Sequence, residues 1–315
     1  MRSADRDAST NARHSRHIFC GRRKGKRDGS TYCLASAGNG IESRSFILAE
    51  HVEGPLYYET MGRTGPVVAF VHPNPMDQSC WMFQMAQLST WFRCIAIDIP
   101  GYGRSPKATK GLTMRDIAQA CWEAIDDAYP GESAILAGCS TGSAIAPHMY
   151  HLRPDQTKAL VLCGTGYNPR KEFAHHRIKS YQDRGVDFRW DYTFQDFSPA
   201  FRTTPLGHYF ANLFAERNVY ADADSIIYQF EALLQPEAAD HHSAIKAPTI
   251  ILSGSEDGAH QSAFALKDRI PGCEMRVLGG AGHACQIEQP GLFNRWMLEF
   301  LGKHGLMPAS PKPTM

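Results

Sequence analysis

The chain contains a serine, an aspartate and a histidine that could together cleave a carbonyl compound. Ser140 follows the apolar run "AILAGC" and stands in Gly138-Cys139-Ser140-Thr141-Gly142, which fits the pattern G-x-S-x-G. Small flanking residues permit a sharp strand-to-helix turn that exposes a strained serine, and the next helix points its positive end at the reacting oxygen. The pattern predicts a nucleophile at Ser140. A tight turn with a serine cap is the alternative interpretation.

A serine hydroxyl becomes a nucleophile when a base takes its proton, and His283 is the candidate base. It lies in the glycine-rich stretch "GGAGHAC", before the last predicted helix. Asp257, in "SGSEDGAH", is the candidate carboxylate that would hold the imidazole in the correct tautomer. Glu256 is the neighbouring competitor, and a turn or cap role is the alternative for Asp257. His283 alone is one of 14 histidines, so the prediction depends on all three residues and their order.

The segments that must position these residues alternate between apolar runs and helical patterns. Predicted helices of the first part cover 79–91, 113–129 and 143–152, and predicted strands cover 45–52, 55–62, 66–73, 93–100, 133–140 and 158–166. Thr113 and Asp116 are placed to form a capping box at the start of the second helix. The alternation predicts βαβ units, and therefore an α/β fold with a mostly parallel sheet and helices on both faces.

The alternation stops after residue 166 and resumes near residue 246, where two strands alternate with two helices. The intervening stretch has no strong strand signal and three predicted helices, at 171–183, 205–217 and 224–235. We predict a first core part at 46–166, an inserted helical cap at 167–245 over the carboxyl edge of the sheet, and a second core part at 246–305.

The chain order Ser, Asp, His, each just after a strand, resembles the α/β-hydrolase family. "VHPNP" after the third predicted strand is similar to the family's oxyanion motif, and "DIPGYGRS" at 98–105 is similar to its D-x-P-G-x-G-x-S loop. The resemblance implies that the N–H groups of Asn74 and Thr141 stabilise the oxyanion. This sequence departs from the family pattern at Pro73, where relatives commonly carry glycine. Asn74 is the only backbone donor of Pro73-Asn74-Pro75, and the two prolines would hold it rigidly.

The resemblance implies a serine hydrolase that cleaves a small-molecule carboxylic ester or lactone and needs no organic cofactor and no metal. A C–C bond hydrolase of a ring-fission diketone is an alternative with the same triad, and a receptor or scaffold without turnover is another. The predicted cap contains aromatic and basic residues that would suit an aromatic or carboxylate-bearing ester, although packing within the cap is the favoured interpretation. They are Tyr181, Phe188, Trp190, Tyr192, Arg177, Arg184 and Arg189.

Composition excludes several other function classes. The formal net charge is +1, so charge does not favour nucleic acid or anionic membranes as partners, and no apolar run is long enough to span a bilayer. Residues 1–45 are predicted to form a disordered basic tail. Binding of nucleic acid or a nuclear importer through its Arg22–Arg27 run, and a transit peptide, are the alternatives. Residues 306–315 are predicted to be a second tail. Scattered cysteines without a CxxC pair favour a cytoplasmic protein with reduced thiols.

Other side chains that could do chemistry are assigned to packing or to the surface. Cys139 and Cys285 flank the predicted site and are interpreted as small packing residues rather than nucleophiles. No HExxH motif or Cys/His cluster accompanies the histidines, so solvated rings are expected rather than a metal site. These histidines are His148, His151, His175, His176, His241 and His242.

Overall fold

The computed structural model describes residues 49–167 and 171–308, and the backbone of Arg23–Lys24 and Thr31–Tyr32. These two short segments pair antiparallel. The rest of the predicted basic tail at 1–45 lies outside the described residues, as do residues 309–315 of the predicted second tail. The described chain from Ala49 onwards forms a compact unit of its own.

Seven strands form one sheet in this part of the chain. They are β1 (Tyr58–Met61), β2 (Val67–Val71), β3 (Arg93–Ile97), β4 (Ala134–Cys139), β5 (Thr157–Cys163), β6 (Thr249–Gly254) and β7 (Glu274–Leu278). Their spatial order is β1-β3-β2-β4-β5-β6-β7, in which only the β1–β3 pair is antiparallel. The predicted mostly parallel sheet is confirmed.

The strand predicted over 45–52 is wrong in its described part. The backbone closes a turn there, with the N–H of Val52 donating to the carbonyl of Ala49. Val52 then makes a single antiparallel bridge to Ala108. Both apolar side chains are buried by this turn, so their burial needs no extended strand.

Eleven α-helices accompany the sheet within the described residues. They are α1 (Met82–Leu88), α2 (Met114–Ala128), α3 (Thr141–Leu152), α4 (Lys171–Arg184), α5 (Phe188–Asp196), α6 (Pro199–Arg202), α7 (Pro205–Glu216), α8 (Ala223–Leu233), α9 (His260–Lys267), α10 (Cys285–Glu288) and α11 (Pro290–Lys303). None of those helices combines the length and hydropathy that a bilayer span requires. The predicted capping box of α2 is confirmed, because Thr113 Oγ1 accepts from the Asp116 N–H and Asp116 Oδ2 from the Thr113 N–H.

Helices cover both faces of the sheet, as predicted. Alternate side chains of a strand point to opposite faces, and those of β2 divide between two apolar clusters. Val67, Ala69 and Val71 belong to the cluster that contains buried residues of α2 and α3. Val68 and Phe70 belong to the cluster that contains buried residues of α1 and α11. Because both faces are covered, β2 is apolar throughout.

The stretch between β5 and β6, called here the insert (residues 167–245), is helical where it forms regular structure. The three predicted helices correspond to α4, α7 and α8, and two more, α5 and α6, were not predicted. The sequence of α5, "FRWDYTFQD", is rich in aromatic residues that favour strands. Its Phe188 and Tyr192 instead pack against Tyr181 and Phe230 of two other helices. Tertiary packing therefore overrides the local preference.

Candidate active site

The candidate residues follow strands that end along one edge of the sheet. Val71 of β2 is in register with Gly138 of the neighbouring strand β4, and Cys139 of β4 is in register with Cys163 of β5. Gly254, at the end of β6, is level with the end of β7. The loops after β2, β4, β6 and β7 therefore start side by side. Ligands of open α/β sheets bind in the crevice outside this carboxyl edge.

Ser140 occupies a strained turn between β4 and α3. Its φ and ψ are 52° and −114°, and it is the one non-glycine residue with positive φ in the described chain. A Cβ on Gly138 would stand 2.2 Å from the carbonyl oxygen of Gly142, and a Cβ on Gly142 would stand 2.1 Å from that of Val71. Only glycine fits at either position, so the close approach of β2, β4 and α3 explains the G-x-S-x-G pattern.

His283 and Asp257 meet at the same edge. The Nδ1 atom of His283 lies 2.8 Å from Oδ1 of Asp257, which also accepts from the N–H of Ala259 at 2.8 Å. The Asp257 side chain is 2 % exposed and that of His283 is 20 % exposed. Glu256, the competing acid in the sequence, is exposed instead. The structure thus pairs His283 with Asp257 and turns Glu256 towards solvent.

Each member of this pair stabilises the charged form of the other. Burial by itself raises the pKa of Asp257, but the charge and hydrogen bond of His283 lower it below its usual value. Burial likewise lowers the pKa of His283, but the carboxylate of Asp257, helped by that of Asp196, raises it well above the usual value. A histidine held in this way is oriented by its acid and can take up a proton at its other nitrogen.

Ser140, Thr141, Asp257 and His283 all line one cavity of about 1250 Å³. In the described chain, the Ser140 hydroxyl and the His283 ring are not hydrogen-bonded to each other. Serine–histidine contacts in unliganded sites are often long and tighten when substrate binds. The cavity therefore brings the predicted nucleophile and the predicted base to one space.

The two candidate oxyanion donors differ in their surroundings. Thr141 lines the cavity as the first residue of α3, whose first-turn N–H groups have no partner within the helix. Asn74 is fully buried, does not appear among the lining residues, and has both polar side-chain atoms unpaired within the described structure. Its loop leaves β2 at Val71, whose carbonyl contacts Gly142. Asn74 thus follows a strand end that touches the serine turn, and its role stays a prediction.

The two motifs next to the site are held by buried side chains. In "VHPNP", His72 Nδ1 contacts the Pro73 carbonyl at 2.9 Å, and Nε2 accepts from the Ile99 N–H at 3.0 Å. Burial lowers the pKa of His72 to about 4, so the ring is neutral. In "DIPGYGRS", the Asp98 carboxylate accepts from the Arg104 N–H at 3.1 Å, and burial raises its pKa to about 7. Both residues position loops.

Asp196, at the end of α5 in the insert, is a functional candidate that the sequence did not reveal. Its carbonyl accepts from the N–H of His283 at 2.8 Å, and its side chain lines the cavity. Burial, with a contribution from Asp257, raises the pKa of its carboxyl to about 7. No motif surrounds it, and only the packing of α5 places it beside His283.

Of the seven insert residues singled out in the sequence, Arg177 and Tyr192 line the cavity. The Arg177 guanidinium lies 3.6 Å from the ring centre of Tyr192, and its Nε is buried without a partner in the described structure. Arg189 is bonded to the carbonyl of Pro75 instead. The others pack within the insert or form surface contacts: Tyr181 against Phe188, Trp190 with Asn212, and Arg184 with Asp191.

Both cysteines that flank the site are buried, as expected of packing residues. The thiol of Cys139 contacts Gln286 Oε1 at 3.6 Å, and the thiol of Cys285 contacts the carbonyl of Leu252 at 3.5 Å. Neither lines the cavity as defined by the described residues.

The sequence matches the model of the alpha/beta hydrolase family over residues 68–296. It is 30% identical over 274 residues to the AB hydrolase superfamily protein YisY of Bacillus subtilis, covering 80% of this chain and 96% of that protein. It is also 26% identical over 240 residues to the 2-hydroxymuconate semialdehyde hydrolase of a Pseudomonas species, covering 71% and 81% of the two chains.

Solved structures of other hydrolases also resemble this chain. An esterase from Thermogutta terrifontis superposes with a TM-score of 0.69 and 25% identity, covering 79% of this chain and 93% of the esterase. The enol-lactonase of Burkholderia xenovorans has a TM-score of 0.72 and 23% identity, with coverages of 80% and 98%. Because the family model matches more than half of the chain, this protein belongs to the alpha/beta hydrolase family and is a hydrolase.

Proposed function

We propose that the protein cleaves a carboxylic ester or lactone through an acyl-enzyme on Ser140. The observation that carries the proposal is the convergence of a strained serine and a buried histidine–aspartate pair on one cavity. A serine nucleophile needs such a base, and the base needs an oriented acid. The esterase and lactonase among the structural relatives support the same reaction class.

In the proposed reaction, the Nδ1–H of His283 donates to Asp257, which leaves Nε2 to accept the proton of the Ser140 hydroxyl. The serine oxygen attacks the carbonyl carbon, and the N–H groups of Thr141 and Asn74 stabilise the oxyanion. His283 then gives its proton to the leaving alcohol, or to the ring oxygen of a lactone. A water molecule then attacks the acyl group while His283 takes its proton. The bond from the acyl carbon to the Ser140 oxygen breaks, and His283 returns the proton to that oxygen as the acid leaves.

The cavity wall supports a substrate that carries a negatively charged group. Arg177 brings a cation to the wall, with a buried Nε that has no partner in the described structure and an Nη1 that donates to Gln195 Oε1. Tyr192 and Phe230 add aromatic surface beside it. A guanidinium pairs well with a carboxylate, and aromatic rings bury apolar parts of a ligand. We therefore propose an ester or lactone with a carboxylate and an apolar portion.

Labelling with a fluorophosphonate, which forms a covalent bond with an activated serine, tests the proposal. Wild-type protein is expected to take up one equivalent at Ser140, identified by mass spectrometry. Ser140→Ala should abolish labelling and reduce kcat on a p-nitrophenyl ester by about 10⁶-fold, and His283→Ala should strongly slow both. Ser262→Ala removes another cavity hydroxyl, which donates to the carbonyl of Ala259 just before α9, and should change neither the labelling nor kcat. Folded wild type that stays unlabelled contradicts the proposal.

C–C bond cleavage of a ring-fission diketone is the second candidate, and the match to 2-hydroxymuconate semialdehyde hydrolase favours it. It uses the same three side chains but breaks a bond to carbon. Assays with p-nitrophenyl esters, lactones and a vinylogous diketone, compared by kcat/KM, separate the two candidates. If kcat/KM for the diketone exceeds that for the esters and lactones by more than about 100-fold, the difference in transition-state stabilisation is roughly 2.7 kcal/mol. That result would favour C–C hydrolysis.

A further inference from the structure

Three histidine rings lie near one glutamate at the far end of α3 from Ser140, a fourth ring packs against them, and the proposed reaction uses none of these groups. His148 and His151 project from α3, whereas His241 and His242 follow the last helix of the insert. The ring centre of His241 lies 4.3 Å from that of His148, 4.7 Å from that of His151 and 4.9 Å from that of His242. Glu237 faces this group.

Two ring nitrogens in this group point at the same carboxylate oxygen. Nε2 of His148 lies 3.6 Å from Oε1 of Glu237, and Nε2 of His241 lies 3.7 Å from the same atom. Both nitrogens are buried, and neither has a hydrogen-bond partner within the described residues. Buried polar atoms are nearly always hydrogen-bonded, so two nitrogens that lie at ion-pair distance from one oxygen, but beyond hydrogen-bond length, leave room for a further partner between them.

The spacing of these three atoms fits a small metal ion. Bonds of 2.0–2.2 Å at a tetrahedral angle place ligand atoms about 3.3–3.5 Å apart. The two distances to Oε1 exceed this by only a few tenths of an ångström, and all three ligand atoms lie within 4.8 Å of one another. A movement of one side chain would close the set.

We propose that His148, Glu237 and His241 bind a divalent transition-metal ion, and that Zn²⁺ is the ion this donor set fits best. Two imidazoles and one carboxylate are a known ligand set for zinc that keeps a fourth position open. His148 and Glu237 line the cavity, so the open position faces it. The second carboxylate oxygen lies 3.8 Å from Nδ1 of His242, a contact of the kind that orients metal ligands.

The metal ion would join the hydrolase core to the end of the insert. His148 belongs to α3, which packs on the sheet, whereas Glu237 and His241 lie between α8 and β6. Eight residues of helix separate His148 from Ser140, which corresponds to about 12 Å along the axis. The ion is therefore too distant to polarise the carbonyl attacked by Ser140. It holds the cavity wall together and offers a ligand position at its far end.

Zinc and cobalt titrations of the full chain test the site. After removal of metal with a chelator, wild type should bind one more equivalent of Zn²⁺ than Glu237→Gln, with an increase in Tm that the variant lacks. Any site retained in Glu237→Gln should be weakened by about 100-fold or more. With Co²⁺, wild type should show the intense visible bands of a four-coordinate site, and His148→Ala should lose them.

Further histidines and cysteines elsewhere in the chain could also hold metal, so the assignment depends on the comparison between variants. His175→Ala removes an exposed histidine of α4 and is the matched control, which should bind like wild type. Stoichiometric fluorophosphonate labelling and an unchanged near-ultraviolet circular dichroism spectrum identify variants that are folded. Equal zinc binding by wild type and folded Glu237→Gln, or cobalt bands that persist in His148→Ala, would overturn the proposal.

Discussion

Asp196 is a second carboxyl group beside His283, in addition to the one that orients the ring. Burial is the largest influence on the pKa of His283 and lowers it, whereas Asp257 and then Asp196 raise it, with a net upward shift. His283, the general base of the proposed reaction, would act only when it is neutral. At the residue scale, the pH at which the enzyme becomes active should therefore depend on Asp196 as well as on the Asp257 pair.

Asp196→Asn is expected to move the acidic limb of the kcat/KM profile to lower pH, by up to about one unit. Removing a nearby negative charge destabilises the imidazolium, so the pKa of His283 falls and the neutral ring persists at lower pH. Ester hydrolysis measured from pH 5 to 9 checks the shift. Asp191→Asn alters a surface carboxylate of the same helix, paired with Arg184, and should leave the limb in place. An unmoved limb in Asp196→Asn would show that the two groups are not coupled.

At the scale of elements, the serine turn depends on how closely β2, β4 and α3 approach one another. The two flanking glycines leave no room for a side chain, because carbonyl oxygens of the backbone occupy the space. Backbone cannot rotate away as a flexible side chain can. A single methyl group must therefore displace either the strand end or the start of the helix.

Gly142→Ala is expected to lower the free energy of unfolding by at least about 2 kcal/mol and to reduce fluorophosphonate labelling. The added Cβ would lie 2.1 Å from the Val71 carbonyl oxygen, so the turn must shift. Urea denaturation measures the stability. Gly291→Ala is the control, since this α11 position has nothing within 4 Å of the added carbon and should be neutral or slightly stabilised. Equal stabilities for the two variants would contradict the steric explanation.

At the scale of the whole molecule, buried titratable groups make folding depend on pH in opposite directions. Burial lowers the pKa of His72 to about 4, so the unfolded chain binds a proton at higher pH than the folded chain does. Acid therefore favours unfolding as the pH falls from about 6.5 to 4. Burial raises the pKa of Asp98 to about 7, so that carboxyl has the opposite effect between about pH 7 and 4.

Comparison with a His72→Gln variant isolates the contribution of the imidazole. The stability advantage of wild type over the variant should shrink by about 3 kcal/mol between pH 7 and pH 4, because glutamine binds no proton over this range. Denaturant unfolding at a series of pH values measures both proteins. The stability of His176→Gln, a substitution at an exposed position of α4, should change with pH in the same way as that of wild type. A constant difference between wild type and His72→Gln would show that His72 titrates normally in the folded chain.

Local patterns in the sequence predicted the seven strands of the sheet, with one strand too many at 45–52, the capping box of Thr113 and Asp116, and the glycine-flanked turn at Ser140. The capping box depends on contacts between neighbouring residues, and the sheet depends on the alternation of strands and helices along the chain. The turn at Ser140 is visible as a short glycine-flanked motif, although the reason for its glycines is the approach of β2. The order of Ser140, Asp257 and His283 also placed the three residues after strands, and parallel strands end at one edge. The sequence therefore predicted which elements would approach the candidate site.

Only the tertiary structure decided which side chains meet within that site. It paired Asp257 rather than Glu256 with His283, formed α5 from an aromatic-rich segment, and placed Asp196 and Arg177 on the cavity wall. It also brought His148 of α3 together with His241 and His242 around Glu237, which no spacing motif revealed. These contacts join segments far apart in the chain, and their geometry is set by packing between elements, which local propensity does not encode.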